Sequence, residues 1–274
     1  MEVNHHLNGD YNEKYNKLNK IGECLFSEVY KVKIKDSEEL RALKIIKLKD
    51  IKLELEKSKA DVDINMKNII KNIKDGINNM IICGKDNDYS VKYYESYETE
   101  NEFAIIMELC EKSLTQLLME KKNFQLDEIY DIIEEINMVI ILMKGNNIVH
   151  PNIKPNNIFI KKDKENNYKI KLTDYSLYIK DIISIINIPI ETLSYLAPEY
   201  LNINEEFKEY NYKSHLWSVG IIIYELCFHE RPYKGNTNKE IYNNIKDLGK
   251  DSFSKTEILH LNFLVDKILK ITLI

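Results

Sequence analysis

The spacing of apolar residues changes near residue 110, and that change restricts the chain to a fold with a strand-rich first part and a helix-rich second part. Before it, Tyr30, Val32 and Ile34 alternate with Lys31 and Lys33, the period of two that marks a half-buried strand. Leu43, Ile45 and Ile46 form a second apolar run around Lys44. Two further runs, Val91 to Tyr97 and Phe103 to Leu109, are separated by the short polar segment Glu98 to Glu102, as in a hairpin. A polar, helix-favouring stretch from Asp50 to about Met80 lies between the two pairs of runs.

Beyond Cys110 the pattern is helical. Ser113-Leu-Thr-Gln116 has the form of a capping box, in which a hydroxyl and an amide satisfy the first free backbone groups of a helix. Ile129, Ile132, Ile133, Ile136, Ile140 and Met143 recur at helical spacing, with Gly145 as the expected C-cap. Trp217 to Phe228 is apolar nearly all round and predicts a helix buried in the centre of a lobe. The fold class is therefore α+β, with a small β-rich lobe and a larger helical one. The patches Asn146-Asn147 and Asn166-Asn167 read as loops.

Composition narrows the function. The net charge of −5 is spread along the chain, without the basic face that duplex binding needs to neutralise phosphates, so no nucleic-acid partner is expected. The Lys-rich stretch Lys44 to Lys59 is interrupted by Asp50, Glu54 and Glu56 and reads as a solvated helical face. Cys24, Cys83, Cys110 and Cys227 lie far apart with no Cys-x-x-Cys pair, which suits reduced thiols. Met1 to Asp10 lacks an apolar signal core, and the longest apolar run, Val219 to Phe228, is too short to cross a bilayer. The expectation is an intracellular, cytoplasmic protein with no membrane partner.

His150-Pro-Asn-Ile-Lys154-Pro-Asn-Asn157 resembles the catalytic loop of protein kinases, H-R-D-x-K-x-x-N. Further elements follow in the family's order. Gly22-Glu-Cys-Leu-Phe-Ser-Glu-Val29 resembles a worn glycine-rich loop, and Arg41-Ala-Leu-Lys44 the strand with the phosphate-binding lysine. Asp174-Tyr-Ser176 stands for D-F-G, Ala197-Pro-Glu199 for A-P-E, and His215-Leu-Trp217-Ser-Val-Gly220 for D-x-W-S-x-G. The text around them, with Thr192 in Glu191-Thr-Leu-Ser-Tyr-Leu-Ala-Pro-Glu199, is similar to the eukaryotic Ser/Thr type.

The resemblance implies a bilobal fold with an antiparallel small lobe. Residues 1–11 would be a tail, 12–110 the small lobe and hinge, and 111–274 the large lobe. ATP would be lined by Gly22, Val29, Ala42, Lys44, Met107 as gatekeeper, Glu108, Cys110 and Phe159, with Mg²⁺ on Asn157 and Asp174 and Lys154 in the catalytic loop. The partner of Lys44 is left between Asp63 and no carboxylate at all, the second reading aligning Gly76 with the family's glutamate.

The departures from the family are concentrated where chemistry happens. Asn152 replaces the aspartate that accepts the substrate proton, and an amide cannot take a proton at neutral pH. Cys24 and Ser27 replace glycines, so side chains and restricted φ oppose close approach to phosphate. Pro151 replaces the arginine that clamps a phosphorylated segment, which makes Thr192 and Ser194 structural residues. His215 replaces the aspartate that braces the catalytic loop and is expected as a packed, hydrogen-bonded group. Glu165 and Asp163, the other acids near the loop, read as solvated. The chain stops at Ile274, soon after a helix-like stretch Ile258 to Ile271, so the family's last helix would be lacking and Glu199 would be without its arginine. Reduced stability of the large lobe is then expected. These features predict a pseudokinase that can hold ATP and acts through a protein partner. The alternatives are a weakly active Ser/Thr kinase using Lys44, Lys154, Asn157 and Asp174, and a non-functional remnant.

Overall fold

The computed structural model describes residues 4–58, 61–85, 87–175, 190–197 and 212–246. The chain forms two units, Met1–Glu111 with Tyr175–Ile185, and Lys112–Asp174 with Ile186–Ile274.

The first unit is built on a six-stranded sheet. Its strands are β1 (His5–Leu7), β2 (Tyr15–Cys24), β3 (Ser27–Ile34), β4 (Leu40–Lys47), β5 (Tyr93–Glu98) and β6 (Glu102–Met107), in spatial order β1-β5-β6-β4-β3-β2. The β2, β3, β4, β6 and β5 pairings are antiparallel, whereas β1 runs parallel to β5. Alternation in β3 and β4 turns Val32, Leu43 and Ile45 to one face, where they pack with Ala104, Ile106 and Tyr97 under Tyr11 and Tyr15.

Residues expected as a tail thus contribute a strand. Asn8 takes a left-handed φ of 56° and Gly9 lies so close to the sheet that a Cβ there would sit 2.9 Å from His6 Cβ. The Asn-Gly-Asp turn returns the chain to β2, with Asp10 accepting the Asn12 N–H at 2.8 Å.

The polar stretch after β4 is two helices. In α1 (Leu48–Lys57) Leu48, Ile51 and Leu55 are buried, while Lys49, Lys52 and Lys57 are exposed, as a solvated face requires. Lys44 departs from that reading, because it sits in β4 and only 7% of it is exposed. α2 (Val62–Gly84) is capped by Asp61, which accepts the Ile64 N–H at 3.1 Å, and buries Ile69, Ile73, Gly76, Ile77, Met80 and Cys83.

The second unit begins with β7 (Lys112–Ser113), paired in a three-stranded sheet with β8 (Ile158–Lys162) and β9 (Tyr168–Leu172). α3 (Leu114–Glu120) starts with the expected capping box: Ser113 Oγ accepts the Gln116 N–H at 3.2 Å and Gln116 Oε1 accepts the Ser113 N–H at 2.8 Å. α4 (Leu126–Gly145) packs its isoleucines over β9, where buried Glu135 accepts from Lys169 Nζ at 2.7 Å. It ends differently from expectation. Gly145 is the last helical residue, and Asn147 takes the left-handed φ of 55°. The Ile148 N–H reaches Met143 O at 2.8 Å and the Asn147 N–H reaches Lys144 O at 3.1 Å, a Schellman ending.

The remaining described elements are α5 (Ile190–Leu193), α6 (Tyr212–Phe228) and α7 (Asn238–Lys246). α6 buries Val219, Ile221, Ile222, Ile223 and Leu226 as an inward helix should. Ser176, Pro198, Glu199, the stretch Ile258 to Ile271 and the expected lack of a final helix lie outside the described residues. All four cysteines are free thiols, Cys83 buried and Cys24 exposed. Among the described residues no helix is long and apolar enough to cross a membrane.

Candidate functional site

In the second unit the loop between α4 and β8 is fixed by bonds that run through backbone groups. Residue His150 is 1% exposed. Its Nδ1 accepts the Asn152 N–H at 3.1 Å, which places the ring proton on Nε2, and Nε2 donates to Thr173 O at 3.0 Å. His215, on α6, accepts the His150 N–H on Nε2 at 2.9 Å, so its own proton is on Nδ1. Burial pushes both imidazoles down to about 4, aided in His215 by the neighbouring His150 and opposed in His150 by Thr173 O and Asp174. Both rings are neutral at pH 7.

Pro155 opens a 3-10 turn at Pro155–Asn157, where its missing N–H costs nothing. The turn buries Asn157, whose Nδ2 donates to Asn152 O at 2.8 Å while its carbonyl accepts the Thr173 N–H at 3.0 Å. One asparagine therefore holds both the 152 backbone and the segment entering Asp174. Asp174 itself has a φ of 69°, a left-handed conformation that costs energy for a side-chain-bearing residue unless its surroundings enforce it. Lys154 Nζ donates to Thr192 Oγ1 at 2.9 Å, joining the loop to α5. Phe159 lies on β8 opposite Ser113.

Of the two acids considered for the loop, Glu165 is exposed and Asp163 has other work. Asp163 Oδ1 accepts the N–H groups of Glu165 and Asn167, both at 2.9 Å, and so shapes the turn between β8 and β9. Nearby in sequence, Tyr195 donates its hydroxyl to Glu225 of α6 and Ser218 Oγ donates to Tyr195 O at 2.9 Å. Burial raises the Glu225 carboxyl above its usual range, against the hydrogen bond from Tyr195 and the charge of Arg231. This group was not singled out in the sequence; its signal was a tyrosine three residues beyond Thr192.

In the first unit the ladder places the expected nucleotide-lining residues together. Gly22 pairs with Val29, Val29 with Lys44, and Ala42 with Met107, so all five side-chain positions share one face of the sheet. The β2–β3 hairpin turns over Leu25-Phe26, with Cys24 opposite Ser27. No non-glycine residue from 22 to 29 adopts positive φ, and a Cβ on Gly22 would meet Val29 at an ordinary 3.5 Å, so the hairpin does not exploit glycine's freedom. Glu108 accepts the Lys92 N–H at 3.1 Å, fixing the segment that leads to the partly buried Cys110. On α2, Asp63 is exposed in the first turn and Gly76 faces inward. The buried residues of α2 include no carboxylate.

Residues 15–266 match the family described as "Protein kinase domain". The chain belongs to the protein kinase family. Among curated relatives, Calcium-dependent protein kinase 6 of Plasmodium berghei is 31% identical over 86% of this chain and 15% of its own length. Myosin light chain kinase A of Dictyostelium discoideum is 28% identical over 83% of this chain and 70% of its own length. Serine/threonine-protein kinase Nek1 of Mus musculus is 28% identical over 84% of this chain and 18% of its own length. Against the first two relatives found, the chain spans 15% and 46% of their lengths.

In this kinase domain the loop between α4 and β8 is held by hydrogen bonds through its backbone. The backbone of residue 152 is held from both sides, yet the side chain there is an amide. The bracing position on α6 is occupied by an imidazole that still accepts the loop N–H.

Proposed function

We propose that this kinase domain binds ATP with Mg²⁺ and transfers phosphate poorly or not at all, acting through a protein partner. The observation that carries the reading is Asn152 on a loop whose backbone is fully braced. A degraded loop would lose its hydrogen bonds, whereas here His150 and Asn157 hold residue 152 from both sides. What is missing is the proton acceptor, and loss of a positioned general base costs about 10²–10⁴ in rate.

Nucleotide binding is supported by Lys44, Val29, Ala42 and Met107 on one sheet face. Asn157 uses its amide nitrogen on Asn152 O, which leaves its carboxamide oxygen, with the Asp174 carboxylate, as the hard donors a magnesium ion prefers. When bound, the metal would neutralise charge on the phosphates.

The test is titration of the domain with ATP and Mg²⁺, beside phosphotransfer to a generic protein substrate, for wild type, Lys44→Ala and Asn152→Asp. Binding lost in Lys44→Ala without wild-type transfer supports the reading. Wild-type transfer that disappears in Lys44→Ala would overturn it in favour of a weak Ser/Thr kinase, the second reading. That second reading draws on the Lys154–Thr192 bond, which fixes the ammonium of a loop lysine two positions beyond Asn152 in sequence.

A further inference from the structure

The first unit contains an arrangement that the phosphate chemistry does not use. β1 lies along the β5 edge as a parallel strand, with a further bond at each end: the Ser96 N–H reaches Asn4 O at 2.9 Å and the Asn8 N–H reaches Glu98 O at 2.7 Å. Backbone pairing alone would make three residues a weak strand. Two carboxylates of β5 reinforce it. Glu95, only 3% exposed, accepts from His6 Nε2 at 3.1 Å, Lys14 Nζ at 2.7 Å, Asn4 Nδ2 at 3.3 Å and the Tyr15 hydroxyl. Burial opposes its ionisation, and these bonds outweigh burial, holding the carboxyl below its usual range.

The second carboxylate does more. Glu98 Oε2 accepts from His5 Nε2 at 2.9 Å and from Lys74 Nζ of α2 at 2.7 Å, so one oxygen is shared by the strand and the helix. The His5 ring is fixed on its other side by Ser96 Oγ at 2.9 Å and stacks on Phe103 at 5.5 Å between centroids. His6 stacks on Tyr97 at 4.7 Å. Glu98 is thereby held in one position, ready for Lys74, without the rotamer entropy an isolated surface pair loses.

We propose that β1, held on the β5 edge through its two successive imidazoles, tethers α2 to the sheet through Glu98. Each of the two β5 carboxylates meets one imidazole, Glu95 with His6 and Glu98 with His5, and Glu98 also meets Lys74 of α2. Displacing the strand removes the group that orients Glu98 and so loosens α2. The inference does not depend on whether the domain transfers phosphate.

Native-state hydrogen exchange on the full chain tests it with His5→Phe, Lys74→Met and Lys71→Met. His5→Phe keeps an aromatic ring on Phe103 and removes the contact with Glu98; Lys71 is exposed on α2 and serves as the control. His5→Phe is expected to speed exchange of the α2 amides around residue 74 about fivefold, the scale of coupling between residues in one ion-pair network. Lys74→Met is expected to speed exchange of the Asn8 amide by a similar factor, since coupling is reciprocal. Changes confined to the mutated element, or equal changes in Lys71→Met, overturn the tether. Should His5→Phe fail to fold, the Asn8 amide in Lys74→Met decides alone.

Discussion

His215 Nε2 accepts the backbone N–H of His150 at 2.9 Å, so a neutral imidazole does the bracing that the family assigns to a carboxylate. A neutral imidazole and an ionised carboxylate can both accept this N–H, the carboxylate more strongly, but they respond to acid at different pH.

The first prediction follows from that difference. Both imidazoles are lowered from 6.5 to about 4, so the folded state binds fewer protons than the unfolded one between those values. Their contribution to stability is complete above pH 6.5 and is lost as pH falls towards 4. Each shift corresponds to at most about 3 kcal/mol at 1.36 kcal/mol per unit. Thermal unfolding midpoints should already fall between pH 6.5 and 5, above the range where carboxylates such as Glu95 and Glu128 are protonated. His215→Asp, which keeps an acceptor, should fall less steeply. A flat wild-type profile from pH 7 to 5 would refute the assignment.

Asn152→Asp should leave stability within about 0.5 kcal/mol of wild type, because the bonds at residue 152 use its backbone N–H and carbonyl. If the amide is the principal lesion, phosphotransfer should rise by about 10²–10⁴. Urea denaturation and a radiolabel transfer assay measure the two effects separately. A large stability loss would mean that the side chain also supports the loop.

Lys154→Met and Thr192→Val should each destabilise the second unit, and the double variant should cost less than their sum. A coupling of about 1 kcal/mol is expected for a charge-assisted bond at 2.9 Å that is partly buried. Strict additivity in the double-mutant cycle would show that the contact contributes nothing.

Asn147 carries the left-handed residue of the α4 ending. Asn147→Gly should stabilise or be neutral, whereas Asn147→Ala should cost about 1–2 kcal/mol because alanine lacks the short polar side chain through which asparagine tolerates the left-handed region. Equal midpoints for the two variants would contradict the Schellman geometry.

How much of this was legible beforehand depends on whether the signal was local. The alternation at Tyr30, Val32 and Ile34 and the Ser113–Gln116 box act within a few residues, and both appear where expected. The helical ending was misplaced because glycine is the usual left-handed residue, while Asn147, two positions later, tolerates that region through its short polar side chain. β1 has no signal in the sequence because His5–Leu7 is too short to show a period; its partners, the β5 backbone and the carboxylates of Glu95 and Glu98, lie about ninety residues away. β8 and β9 were passed over beside the Asn-rich turn, although Ile158 and Ile160, and Tyr168, Ile170 and Leu172, alternate. Lys44 falls at the start of the Lys-rich run by charge count, whereas the motif order puts it on a strand, and it is the strand position, 7% exposed, that the structure has. The motif gave the order of Asn152, Lys154, Asn157 and Asp174; the bonds His215–His150 and Lys154–Thr192 span 65 and 38 residues, and no local pattern encodes them.

The unequal strands at the two margins of the first sheet bear on self-association. An edge recruits a neighbouring molecule when it offers a long, regular run of backbone groups. β1 is three residues long and stops at the left-handed Asn8, which leaves little for another molecule to grip. β2 is ten residues long and exposes Leu18 and Ile21, but its register against β3 slips twice between Lys17 and Gly22, and Lys17 and Lys20 stand at the slips. Of the first sheet's two margins, β2 is the one at which edge-to-edge clumping would start in concentrated solution, and neutralising those two lysines is the change that would invite it.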